Sequence, residues 1–232
     1  MKLSEIFFAL SSGEMSTLNC VENGEIRPES YNKVISAINR GLTCLGTRFM
    51  LRKDILLFKT IAGMETYVID PEFTETSGNP DAYILDMDHP FIEGLLEITA
   101  LYQADGTQVA LDGSAAVLRT TVKTLRFKQP VEDAVYKLHY SALPYKIEQM
   151  NGSGFDPENI EVDLPIAYLN ALVYFVASAF YSPSLSGLDG ARANQDVNYR
   201  QLFEAECRVL ESKGLDVDED LPTDLFSQRG FL

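Results

Sequence analysis

The stretch Leu164-Pro-Ile-Ala-Tyr-Leu-Asn-Ala-Leu-Val-Tyr-Phe-Val-Ala-Ser-Ala-Phe-Tyr181 carries no charge, and no charged residue occurs between Asp163 and Asp189. In a chain of formal net charge -15, a segment this apolar must be hidden, either in a membrane or in a packed core. Membrane spans favour Lys and Arg just outside the apolar run. Here the upstream flank is acidic (Asp156, Glu158, Glu161, Asp163), and the nearest downstream base is Arg192. A lone helix in lipid would also leave the Asn170 amide without a partner, at a cost of roughly 2–7 kcal/mol. Asp163 near the first amides and Pro165 in the first turn match the start of a helix in water. The run therefore reads as a helix over 164–181 buried in protein, with Ile166, Leu169, Leu172, Val173, Phe175 and Val176 as its structural core, and as no membrane span.

Downstream, Ser182-Pro183 ends this helix, and a Ser-, Gly- and Asn-containing turn leads to a last helix near Gln195 to Ser212, closed by Gly214. Glu204 and Arg208 on it are four apart in the favourable order. From Leu215 the chain is acidic and then apolar. Leu221, Leu225, Phe226, Phe231 and Leu232 are candidate partner-binding residues, either anchors for a pocket elsewhere or part of a mobile terminus.

Upstream, residues 55–147 read as strands. Ile55 to Ile61, Thr66 to Ile69, Gly94 to Tyr102, Thr107 to Leu111, Thr120 to Phe127 and Val135 to Tyr140 are bracketed by turn residues. Ala104-Asp105-Gly106 signals a hairpin, because Asp-Gly accepts positive φ. In the last strand Tyr136, Leu138 and Tyr140 share one face, and Lys137 and His139 the other. Two helices precede the strands. The first, Leu3 to Leu10, places Leu3, Ile6, Phe7 and Leu10 on one face. The second follows an Asn23-Gly24 loop and Pro28, with Tyr31, Val34, Ile35, Ile38, Leu42, Leu45 and Phe49 recurring every three or four residues. Its opposite face carries Asn32, Lys33, Asn39, Arg40 and Thr47. Gly41 and Gly46 weaken this helix and permit close packing.

The expected organisation is α+β: a helical bundle from 1–54 and 151–213, a β-rich antiparallel insertion over 55–150, and an extended C-terminal arm over 214–232. The negative charge is uneven. Residues 1–54 hold 7 basic and 6 acidic side chains, 55–150 hold 7 and 14, and 151–232 hold 5 and 14. Such a surface disfavours phosphate backbones, whose affinity for proteins comes from Lys and Arg, yet DNA can pass it without adhering. Cys20, Cys44 and Cys207 form no CxxC pair and no even framework. The start of the sequence lacks the pattern of a signal peptide, so synthesis in a reducing cytoplasm is expected.

A search for chemistry finds no catalytic, cofactor or metal motif. Asp86-Met-Asp-His-Pro90 reads as a turn before proline rather than as a ligand set. Asp216-x-Asp218-x-Asp220 begins like a calcium loop, but Leu221 and Ser227 stand where that loop needs Gly and Glu. Gly152-Ser-Gly154 lacks the Gly-Lys-Ser/Thr of a phosphate loop. Cys44 reads as core, and His139 as a surface or interface residue. The chain is therefore expected not to be an enzyme and to need no cofactor.

The order short helix, long helix, β-rich insertion, apolar helix, charged helix and tail resembles the head-to-tail adaptor (connector, or neck) proteins of short-tailed bacteriophages. The resemblance is carried by the apolar helix itself, by Met1-Lys-Leu-Ser-Glu-Ile-Phe7 with Tyr31-Asn-Lys-Val-Ile-Ser-Ala-Ile-Asn-Arg-Gly-Leu42, and by Tyr199-Arg-Gln-Leu-Phe-Glu-Ala-Glu206. It implies a virion protein, made in the host cytoplasm, that forms a homo-oligomeric ring, usually of twelve copies, under the portal protein at the head–tail junction. Such a ring extends the DNA channel and carries the tail tube or nozzle protein. Its helices form the wall, its β part faces neighbours or the tail, and its C-terminal arm reaches the portal. An acidic lumen would let the DNA slide without sticking. Two other classes remain open from the sequence: an acidic DNA mimic that inhibits a host nucleic-acid enzyme, and a hydrolase with an unrecognised site.

Overall fold

The computed structural model describes residues 1–87, 90–91, 94–111, 116–150, 155–181 and 193–214. They form four α-helices and antiparallel sheets, a mixed α and β fold. The chain divides into two compact units, one of residues 1–38 with 149–232 and one of residues 39–148.

In the first unit, helix α1 (Leu3–Ser12) buries Leu3, Ile6, Phe7 and Leu10, the face its spacing predicts. The Glu5 carboxylate accepts from the Lys2 backbone N–H at 2.9 Å, satisfying an amide at the helix start. The chain start pairs with 160–162: Leu3 N–H donates to Ile160 O (2.9 Å) and Val162 N–H to Met1 O (2.7 Å). A hairpin of β1 (Val21–Glu22) and β2 (Glu25–Ile26) turns through Asn23 (φ 52°) and Gly24 (φ 81°). Both lie in the left-handed region that this two-residue turn requires. Pro28 then opens a 3-10 turn, Pro28–Ser30, leading into α2 (Tyr31–Phe49), whose residues from Asn39 on belong to the second unit.

The apolar run departs from its expected form at its start. Leu164 and Pro165 lie outside the helix, Pro165 being extended (ψ 141°), and Ile166–Tyr168 make a 3-10 turn before α3 (Leu169–Tyr181) begins. The tighter turn changes the angular phase of the first residues. Ile166 consequently stands in solvent, 73% exposed, and does not belong to the core assigned to it. Leu172, Val173 and Val176 are buried, as expected; Leu169 and Phe175 are half-buried. Asn170 is exposed, so water satisfies its amide. Helix α4 (Ala193–Ser212) packs along α3 through Phe203, Cys207 and Leu210. The Phe175 and Phe203 rings meet edge-on at 5.4 Å, and Tyr181 stacks on Tyr199 at 5.2 Å. The Tyr199 hydroxyl donates to the Glu14 carboxylate at 2.5 Å and that of Tyr181 to the Glu14 carbonyl at 3.1 Å. Burial and the Glu14 carboxylate hold the Tyr199 hydroxyl well above the usual tyrosine range. Among the described residues no helix is long and apolar enough to cross a membrane.

In the second unit, β3 (Arg52–Lys59), β5 (Ile84–Leu85), β6 (Leu95–Gln103), β7 (Gln108–Val109) and β10 (Val135–Ala142) form a five-stranded sheet in the order β5-β3-β10-β6-β7. A second sheet has the order β4-β9-β8, from β4 (Thr66–Val68), β8 (Val117–Thr121) and β9 (Thr124–Phe127). Inner-face residues of both sheets make one core, including Leu56, Phe58, Leu101, Leu125, Phe127 and Leu138. Phe58 contacts Phe127 edge-on at 6.1 Å and stacks on Tyr136 at 5.6 Å. Two buried tyrosines tie loops to this core. Tyr83 accepts from Val68 N–H (2.8 Å) and donates to Val68 O (2.6 Å), and the Tyr67 hydroxyl bonds Ile61 in the same two ways.

The hairpin read at Ala104-Asp105-Gly106 is present, with Gly106 at φ 87° and its N–H on Gln103 O. The single strand read over Thr120–Phe127 is instead the β8–β9 hairpin, turning at Val122-Lys123. Thr121 Oγ1 donates to Thr124 Oγ1 at 2.8 Å across the turn, a side-chain closure that a β-branched sequence conceals. In α2, Gly46 meets Pro144: a Cβ there would lie 2.7 Å from the Pro144 Cγ. Asn39, assigned to the polar face, is half-buried and pairs both ways with Ile147, Nδ2 donating to its carbonyl and Oδ1 accepting its N–H, each at 2.9 Å.

Candidate functional site

The alternation of β3 puts Arg52, Leu56 and Phe58 inward and Lys53, Ile55, Leu57 and Lys59 on the other face of the sheet. Its partner β10 buries Tyr136, Leu138 and Tyr140 and places Val135, Lys137 and His139 on that same outer face. The register sets Lys59 beside Val135, Leu57 beside Lys137 and Ile55 beside His139. On the far side of β10, Tyr102 of β6 lies beside Lys137 and Ala100 beside His139. The Tyr102 and His139 rings meet at 4.9 Å. A hollow of about 530 Å³ opens here, lined by Leu57, Tyr102, Val135, Lys137 and His139 among others.

This face combines two properties. Ile55 and Leu57 remain 42% and 40% exposed, so apolar surface that folding could have hidden stays in water. Lys53, Lys59 and Lys137 surround it, and neither β3 nor β10 adds an acidic side chain to it. Glu97 of β6 is held by Arg119 at 2.6 Å. In a strongly acidic chain, an apolar strip framed by lysines is suited to an acidic and apolar partner.

The inward end of β3 differs. Arg52 is 6% exposed, its Nη2 donating to Asp54 Oδ2 at 2.7 Å and its Nη1 to Leu143 O at 3.1 Å. Its guanidinium lies 3.8 Å from the centre of the Tyr145 ring. Burial, then the Asp54 carboxylate, push the Tyr140 hydroxyl far up. Every feature of this cluster neutralises or shelters a buried cation, so its role is to hold β3 against the 143–145 segment.

Of the residues singled out in the sequence, Leu172, Val173 and Val176 lie together in the interior of the first unit, with Leu169 and Phe175 at its margin. The anchors Leu221, Leu225, Phe226, Phe231 and Leu232 lie outside the described residues, as do His89, the Asp216–Asp220 run and the Gly152-Ser-Gly154 loop. Asp86 is buried and accepts from the Thr76 N–H (3.1 Å) and hydroxyl (2.5 Å), so it organises a turn. Among the described residues no group of three or more His, Cys, Asp or Glu side chains could hold a metal ion. Cys207 is buried, Cys20 and Cys44 are half-buried, and burial raises the Cys20 thiol, which lowers its nucleophilicity.

Sequence reasoning noted Lys137 and His139 on one face but missed the surface they belong to. The signal was Lys53-x-Ile55-x-Leu57-x-Lys59, an alternation visible only when the strand starts at Arg52 rather than Ile55. The pairing of Arg52 with Tyr145 leaves no trace in spacing, because only the fold brings them together. In comparison with known proteins, no family model and no curated protein matches this chain.

Proposed function

We propose that this chain is a subunit of a ring-shaped adaptor at the head–tail junction of a short-tailed bacteriophage, between the capsid portal and the tail tube or nozzle. The observation that supports this reading is the division of the chain. Helices α1, α3 and α4 fall in one unit, where α1 and α4 both pack on α3, and the antiparallel sheets fall in another together with the last part of α2. This division is compatible with the organisation the sequence resemblance implies, a helical part completed by both chain ends and a β-rich part between them. In the ring the helical unit would build the wall and the sheet unit would meet neighbours or the tail. The negative charge of each copy, -15, would accumulate around a channel through which DNA must pass without adhering.

The test is assembly. The purified full chain, mixed with the portal protein of the same phage, should form a ring on the portal, seen as a defined high-mass species by mass photometry and as a ring by electron microscopy. A chain that stays monomeric and leaves the portal unchanged would sink the proposal.

A further inference from the structure

Resting on the ring reading, we infer that residues 216–226 of one copy lie across the outer face of the five-stranded sheet of a neighbouring copy, as the link between adjacent subunits. The outer face has its lysines at defined places. Lys53 and Lys59 are six residues apart on β3, about 20 Å at the strand rise, with Ile55 and Leu57 between them. Asp218 and Asp224 are also six residues apart, with Leu221 midway, and in a polyproline-II conformation, with three residues per turn, all three share one face and the acids stand about 19 Å apart. Running along β3 in the same direction, the segment sets Asp218 near Lys53 and Asp224 near Lys59, with Leu221 over the apolar strip. Leu225 and Phe226 then arrive at the Val135 end, where the hollow lined by Leu57, Tyr102 and Val135 opens. Pro222 lacks a backbone donor, which suits a segment lying over side chains rather than extending a sheet. Charge complementarity selects this occupant. Five acidic residues from Asp216 to Asp224 meet Lys53, Lys59 and Lys137 on a chain whose net charge is -15. Phe231 and Leu232 lie beyond the docked portion and remain for the portal.

The experiment uses the full chain with Phe226 replaced by photoreactive benzoylphenylalanine, as a mixture of light and nitrogen-15-labelled protein. Irradiation should give cross-links between light and heavy copies that map to Tyr102, Val135 or Lys137. Lys53→Glu with Lys59→Glu should abolish them in a protein whose circular dichroism is unchanged, and Asp218→Lys with Asp224→Lys should restore them. Cross-links that join only residues of the same copy, that fall on another surface or only on added portal, or that persist in the lysine variants would overturn the inference. Rings that assemble on the portal without these cross-links would remove this link and leave the adaptor reading intact. Heavy–light cross-links at the sheet face without any portal binding would do the reverse.

Discussion

Helix α3 and strand β3 are both apolar segments, and they are apolar for opposite reasons. In α3 the interior residues Leu172, Val176 and Ala177 are inaccessible to solvent, and α1 and α4 pack against the helix. Its composition is the composition of a core, worth roughly 1.5–3 kcal/mol for each fully buried large side chain. In β3 only every second residue is hidden. Leu56 and Phe58 are buried, while Ile55 and Leu57 between them are exposed and framed by Lys53 and Lys59. Apolar composition in the helix therefore reports stability, and in the strand it reports stability on one face and leaves apolar surface in water on the other, the surface proposed above for docking.

The largest effect should come from Val176→Asp. It puts an unpaired carboxylate at a fully buried position, a change on the order of 3–5 kcal/mol. Circular dichroism should show loss of cooperative melting; a folded variant would mean that α3 is not the interior it is described as. An intermediate effect belongs to the inner face of the sheets. Burial pushes the Tyr83 hydroxyl up to about 12 from its ordinary 10.0. The native state then holds this proton more tightly than the unfolded chain does, so its contribution is complete below pH 10 and lost as pH rises toward about 12. The melting temperature should fall across that interval, and Tyr83→Phe should flatten the fall while lowering the starting value. An equal slope in both proteins would assign the alkaline loss to other groups. The smallest effect on folding should be Leu57→Asp, about 1 kcal/mol, because the outer face is already partly open to water. A large destabilisation by that change would erase the contrast between the two segments.

The same contrast explains what could be read in advance. Helical faces were legible in α1, α2 and the interior of α3, because burial there follows one period and the side chains themselves declare it. The start of α3 was not, since Pro165 and a 3-10 turn shift the phase and put Ile166 in water. The β8–β9 hairpin was hidden because Thr121, Val122 and Thr124 favour strands while Thr121 and Thr124 close the turn. The candidate docking face needed register as well as alternation: Leu57 beside Lys137, and Lys137 beside Tyr102, are neighbours only once β3, β10 and β6 are aligned.

The contact between Gly46 and Pro144 has an evolutionary consequence. Nearly a hundred residues separate the two in sequence, yet the ring occupies the space that any side chain at 46 would need. Position 46 cannot gain a side chain while the proline stays. A related chain with alanine or serine at the equivalent of Gly46 should have exchanged the proline for a smaller residue, and one that keeps the proline should keep the glycine. This paired history would mark true relatives at sequence distances where overall identity no longer does.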